Sequence, residues 1–148
     1  MEDKVKKGLG EKIVHWEKKS DRRHYLEIKR EDLVESVRIL FRLLGMRFST
    51  ASGVDNPDQF EILYHFACDT AGKFFSLRVR ADKEKPIFPS ISGVIEGAKW
   101  IEREMHELLG IEFSGHPGLE RLLLAEDWPE RVYPLRKDFS NERNPGQP

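Results

Sequence analysis

Two extended runs, Phe60 to Ala67 and Lys73 to Arg80, are separated by only a short turn at Asp69-Thr70-Ala71-Gly72, and this pairing constrains the fold more than any other feature of the chain. Runs rich in aromatic and branched side chains joined across so few residues form an antiparallel hairpin. A third run, Met46 to Thr50, precedes them across a connection at Val54 to Asp58. Upstream, His24, Leu26 and Ile28 alternate with Arg23, Tyr25, Glu27 and Lys29, the period of a half-buried strand. The sum is a mostly antiparallel sheet with one apolar face, and such a face needs a cover.

The cover is predicted from two changes of period. Leu33, Val34, Val37, Leu40, Phe41 and Leu44 recur at three and four residues, which predicts a helix from Asp32. Asp32 and Glu35 have the spacing of a capping box, and Gly45 suits the position that closes a helix. A second helix is predicted from Ser90 to Leu109, with Ile91, Val94, Ile95, Ala98, Ile101, Met105, Leu108 and Leu109 on one face. Helices on one side of a sheet make an α+β fold, a two-layer α/β sandwich. Glu102 falls inside the apolar stripe, where a carboxylate needs a partner, and Trp100 falls on the charged side, where an indole is either covered by a neighbouring loop or part of a docking surface.

After Gly110 the regular period fails. Pro117 to Leu124 is predicted to make a short helix, and from Ala125 onward Pro129, Pro134, Pro145 and Pro148 oppose regular structure. Yet Trp128, Val132, Tyr133, Leu135 and Phe139 lie in that stretch, so it is expected to rest on a surface, either its own domain or another subunit. The division expected is an α/β domain over residues 1–109, and over residues 110–148 a motif segment with an irregular, extended arm. The charged opening residues are expected to be a solvated end.

Length and composition then exclude whole classes. A chain of 148 residues is one domain in size, and 25 Lys and Arg against 26 Asp and Glu give a net charge of −1, which argues against nucleic acid as a partner. The longest stretch without a charged side chain, Pro86 to Ile95, is ten residues, half of the ~20 that cross a bilayer. The opening residues do not resemble a secretory signal. Cys68 is the only cysteine, so the chain makes no internal disulfide and supplies no multi-cysteine metal or cluster site. Few Asn and Gln beside many Lys and Glu is a composition seen in heat-adapted proteins.

Candidate chemistry is sparse. His106 and Glu102 stand four residues apart on the second predicted helix, and His116 follows; with nearby carboxylates they could hold a metal or a small ligand, but no His-Glu-x-x-His motif accompanies them. There is no nucleophile elbow, phosphate-binding loop or dinucleotide fingerprint. No catalytic, cofactor-binding or metal-binding residue is therefore assigned, and a stand-alone metal- or ligand-binding protein using His106 and His116 is the competing alternative.

The segment Trp100-Ile-Glu-Arg-Glu-Met-His-Glu-Leu-Leu-Gly-Ile-Glu-Phe-Ser-Gly-His-Pro-Gly-Leu-Glu-Arg-Leu-Leu-Leu-Ala-Glu-Asp-Trp128 closely resembles the signature of the complex I thirty-kilodalton subunit family, which includes the C subunit of NADH:quinone oxidoreductase and its counterpart in membrane-bound [NiFe] hydrogenases. Glu102, Arg103, Glu104, Gly110, Phe113, Gly115, His116, Pro117, Leu119, Arg121 and Trp128 match in register. Tyr133-Pro-Leu-Arg-Lys-Asp-Phe139 resembles a second landmark, and Tyr64-His65-Phe66 also agrees. Leu109, Glu107, Gly118, Glu120 and Ala125 depart from the common pattern, and with the short length this leans toward an archaeal or hydrogenase-like branch.

The resemblance implies a non-catalytic subunit of an oxidoreductase complex, peripheral on the cytoplasmic face of the membrane and attached through other subunits. Its implied partners are a large hydrogenase-like subunit and an iron-sulfur small subunit, which it would hold together for electron transfer coupled to ion translocation. It implies no cofactor in this chain, with iron-sulfur clusters in the parent complex and nickel-iron as well if that complex is a hydrogenase. The residues expected to meet the partners are Trp100, Glu102, His116, Arg121, Trp128, Tyr133, Leu135, Arg136, Lys137 and Phe139. Among them Trp128, Tyr133, Leu135 and Phe139 would be anchors of the arm, and Arg136 and Lys137 would pair with acidic groups.

Overall fold

The computed structural model describes residues 1–140, and residues 141–148 of the expected arm lie outside the described residues. Five strands form the main sheet: β1 (Ile13–Lys18), β2 (Arg23–Ile28), β3 (Arg47–Asp55), β4 (Gln59–Cys68) and β5 (Lys73–Asp82), in the order β1-β2-β5-β4-β3. The hairpin of β4 and β5 forms as expected, turning at Asp69–Ala71 with Gly72 in the left-handed conformation. All neighbours are antiparallel except β2 and β5, which run parallel. The fold is the expected α+β sandwich.

One face of the sheet carries Leu26 and Ile28 from β2, Phe75, Leu77 and Val79 from β5, and Phe60, Ile62, Tyr64 and Phe66 from β4, all buried. Against it pack α2 (Leu33–Arg38), continued by a wider helical turn at Ile39–Leu43, and α3 (Ala98–Leu109). Gly53 on β3 lets α3 approach closely, since a Cβ there would stand 2.5 Å from Leu109 and 3.3 Å from Met105. The opposite face is polar. Arg80 pairs with Glu27 at 2.6 Å and Glu61 at 3.1 Å, and Arg78 reaches Glu61 at 3.4 Å.

Several local expectations are corrected. The opening residues are not a loose end: α1 (Glu2–Leu9) and β1 are formed, with Val5 and Leu9 buried in the core. Two apolar residues four apart are enough to seat a helix whose other positions are mostly charged. Asp32 makes no side-chain cap, because a helical turn at Arg30–Asp32 precedes the helix and places Asp32 in the helical conformation. The third strand runs on to Asp55, so the connection to β4 is shorter than expected.

The second helix starts at Ala98 rather than near Ser90. Residues 90–97 form turns whose Ile91, Val94 and Ile95 are buried all the same, so the apolar spacing reports burial without helix. Before the turns, β6 (Ile87–Pro89) pairs in parallel with β7 (Glu112–Ser114), which follows α3. That small ribbon fixes both ends of the α3 segment. Pro117 to Leu124 is not helical.

Candidate functional site

The signature segment occupies α3 and the chain beyond it, and most of its polar side chains grip the protein's own backbone. Glu102 is fully buried and accepts hydrogen bonds from the Ser90 hydroxyl at 2.5 Å and the Ile91 N–H at 2.8 Å. Burial pushes its carboxyl up to about 7, against the pull of those two donors. Farther along α3, Glu107 accepts from the N–H groups of Leu122, Leu123 and Leu124 at 3.0, 2.7 and 3.0 Å. Burial pushes Glu107 up, but the three amides and Arg121 more than offset it, so this carboxyl lies below the usual range. Those amides would have closed the helix expected at Pro117 to Leu124; the carboxylate takes them instead.

The remaining grips follow the same plan. Arg103 donates to the carbonyls of Glu120 and Arg121 at 3.0 and 2.7 Å. Arg121 gathers the carbonyls of Ala125, Glu126 and Trp128, and the Trp128 indole N–H donates to Val132. His116 contacts the Lys99 carbonyl through Nε2 at 3.1 Å and accepts the Gly118 N–H at Nδ1, 3.0 Å away. Both ring nitrogens are thus engaged with backbone, which leaves no free lone pair on His116 for a metal.

The arm up to Ser140 lies on its own domain. Arg136 donates to the Leu109 carbonyl at 2.7 Å while its guanidinium lies 4.3 Å from the Tyr133 ring and 5.3 Å from Phe60. Leu135 N–H donates to Leu108, and Lys137 N–H to the Asp55 carboxylate at 2.9 Å. Gly110 makes this close approach possible: its φ is +74°, and a Cβ there would stand 2.5 Å from Arg136 and 2.6 Å from Tyr133.

What points outward is apolar. Trp100 is 60% exposed, Leu123 62% and Leu135 60%. Trp100 borders a groove lined by Phe41, Phe48, Ile95, Ile101 and Leu122. Of the residues expected to meet a partner, Trp100, Leu135 and Lys137 are exposed; Trp128, Tyr133 and Phe139 are half-buried, with the Trp128 and Phe139 rings 6.2 Å apart. Glu102, His116, Arg121 and Arg136 are engaged inside the chain. Sequence reasoning assigns no such role to Arg103, Glu107 or Asp55; the first two stand in the signature segment, which is a signal, and Asp55 has none.

The residues of the metal-binding alternative are also held internally. His106 Nδ1 contacts the Ile111 carbonyl at 2.8 Å and lies 3.6 Å from Glu112. Among the described residues, no group of three or more His, Cys, Asp or Glu is placed to hold a metal ion, and no helix is long and apolar enough to cross a membrane.

Residues 26–145 match the family described as respiratory-chain NADH dehydrogenase, 30 Kd subunit. The chain belongs to this family. Among curated relatives, the NADH-quinone oxidoreductase C subunit of Roseiflexus sp. is 38% identical over 117 residues, which cover 75% of this chain and 66% of that protein. Its counterpart from Mesorhizobium japonicum is 46% identical over 83 residues, 56% of this chain and 40% of that one. The chain therefore spans less than two thirds of the length of these relatives.

Solved structures repeat the fold of this 30 Kd family member. A chain of the membrane-bound sulfane sulfur reductase, an archaeal respiratory membrane complex, superposes with a TM-score of 0.78 at 21% identity over 95% of this chain and 85% of that one. The trypsin-resistant fragment of Nqo5 gives a TM-score of 0.63 at 25% identity over 79% of this chain and 94% of that one. The family's description is that of a subunit of the respiratory-chain NADH dehydrogenase.

Proposed function

We propose that this 30 Kd family member is a non-catalytic structural subunit in the peripheral arm of a complex I-like membrane-bound oxidoreductase. It holds a large hydrogenase-like subunit beside an iron-sulfur small subunit, on the cytoplasmic face of the membrane, so that electron transfer is coupled to ion translocation. Iron-sulfur clusters, and nickel-iron in a hydrogenase-type or archaeal complex, belong to the partners. Membrane contact runs through those partners, and nucleic acid has no part.

The observation that carries this reading is an inversion of roles: the charged signature residues fasten the chain to itself, and the fastened surface presents Trp100, Leu123 and Leu135 to the outside. Exposed aromatic and aliphatic side chains on a backbone already held in place bind a partner at low ordering cost. Lys137, two residues after Leu135, is exposed and offers its ammonium to an acidic group.

The test is co-purification from the native host. Trp100→Ala combined with Leu123→Ser should leave the isolated chain folded and remove the large subunit from the purified material. Unchanged recovery of that subunit with the folded variant would overturn the proposed docking face.

A further inference from the structure

Among the described residues, the buried carboxyl of Glu102 is an acidic group in the core that pairs with no Lys or Arg. From the β6–α3 connection it meets the Ser90 hydroxyl and the Ile91 amide, with Ser92 Oγ 2.7 Å beyond Ser90 Oγ. From the chain after β7 it meets His116, whose Nε2 is 4.0 Å from Oε2. From β4 it acts on the buried Tyr64 phenol, which burial and then the Glu102 charge hold well above its ordinary range. On its own helix, Lys99 pairs with Glu96 and His106 turns to Ile111 and Glu112. Arg30 and Arg42, the guanidinium groups that reach the connection, end on the carbonyls of Ile87 and Val94.

Both nitrogens of His116 are taken by backbone: Nδ1 accepts the Gly118 N–H, and Nε2 points to the Lys99 carbonyl. No hydrogen bond joins His116 to Glu102, so an ionised Glu102 would stand in the core without a hydrogen-bonded cation.

The serines allow the carboxyl to change state without leaving a polar atom unpaired. With Glu102 ionised, the Ser90 O–H donates to Oε2 and the Ser92 O–H donates to Ser90 Oγ. When a proton reaches Ser92 Oγ from water, Ser92 passes its own proton to Ser90, and Ser90 passes its own to Oε2. Glu102 then donates to Ser90 Oγ and Ser90 to Ser92 Oγ; each hydroxyl has gained one proton and released one. Ser92 is 8% exposed and is followed by the exposed Gly93.

We propose that Glu102, Ser90 and Ser92 form a proton-binding site, in which the Glu102 carboxyl takes up and releases a proton through the two hydroxyls. The proposal rests on the geometry of this chain alone and stands or falls independently of the partner reading.

Difference infrared spectroscopy of the full chain tests it. A band of a protonated, solvent-shielded carboxylic acid should disappear as pH rises through about 7, and Glu102→Gln should remove it. Ser90→Ala takes a donor from the carboxylate and should move the midpoint upward. A Glu102 that titrates in the ordinary carboxylate range, or an unmoved midpoint in Ser90→Ala, overturns the proton site. Should Glu102→Gln fail to fold, the wild-type band and its shift in Ser90→Ala decide the matter by the same criteria.

Discussion

The sheet body and the corner beyond α3 are held by different forces. In the body, Phe60, Ile62, Tyr64, Phe66, Phe75, Leu77 and Val79 are fully buried or nearly so, and each strand is paired along its length. In residues 115–140 no residue is fully buried and no strand or helix forms; seven side chains, Asp55, Arg103, Glu107, His116, Arg121, Trp128 and Arg136, replace secondary structure by bonding to backbone. Apolar burial is shared among many neighbours and fails cooperatively. Side-chain grips are few and act locally, so the corner is expected to open in pieces while the body stays folded.

The largest effect should come from the body. Phe75 is fully buried and stacks on His24 at 5.0 Å and against Trp16 at 6.1 Å. Phe75→Ala should lower global stability by about 3–5 kcal/mol, read from denaturant unfolding. Hydrogen exchange should accelerate across all five strands of the body, while the corner, which opens locally, should change little. Exchange confined to β5 would break the view of the body as one cooperative unit.

Glu102 sits where body and corner meet, and its effect depends on pH. The folded carboxyl is raised from 4.5 to about 7, so the folded state binds the proton more tightly than the unfolded chain. The stabilisation is full below the unfolded value and is lost as pH rises through the folded one, a swing on the order of 3 kcal/mol. Glu102→Gln, which cannot ionise, should therefore gain stability relative to wild type as pH rises from about 4 to about 8, measured by thermal unfolding at each pH. A constant difference across that range would show that the carboxyl ionises as freely inside as outside.

Smaller again is the loss of one grip. Glu107→Ala leaves the amides of Leu122, Leu123 and Leu124 without their acceptor. The loop can solvate them by opening, so global unfolding should change little while exchange of those three amides speeds by about 30-fold, the equivalent of ~2 kcal/mol of local protection. An equal loss across the sheet would mean that the corner is part of the body's cooperative unit.

The two regions also differ in how far the amino-acid sequence discloses them. Alternation of side chains exposes β2, β4 and β5, and Gly45, Gly72 and Gly110 mark reversals that are all left-handed in the structure. The parallel pairing of β2 with β5 is hidden, because alternation states which residues share a face and nothing about which strand lies alongside. The helix predicted from Ser90 begins later: Ile91, Val94 and Ile95 are buried at helical spacing, but the stretch closes as separate turns, with Val94 N–H donating to Ile91 and Ala98 N–H to Ile95. In the corner, the likeness to a family signature identifies the residues but not their direction. Arg121 and Arg136 look like contacts for a neighbour, and only coordinates reveal that carbonyls of the same chain reach them first.

The smallest predicted effect separates an arginine that organises backbone from one that decorates a surface. Arg47 makes a bidentate pair with Asp69, Nη2 at 2.9 Å and Nε at 3.1 Å, yet the two side chains are 58% and 64% exposed. Water competes for both groups, so Arg47→Ala should cost less than ~1 kcal/mol and less still at high salt. Arg121 is also exposed, but its guanidinium joins the carbonyls of Glu126 and Trp128, which have no helix or strand to hold them. Arg121→Ala should leave the unfolding midpoint as little changed as Arg47→Ala does, while raising exchange and protease cleavage between Ala125 and Val132, which Arg47→Ala should not. If both variants behave alike under protease, the grips of the corner are no stronger than an ordinary surface ion pair, and the apolar contacts of Trp128, Tyr133 and Phe139 must hold the arm by themselves.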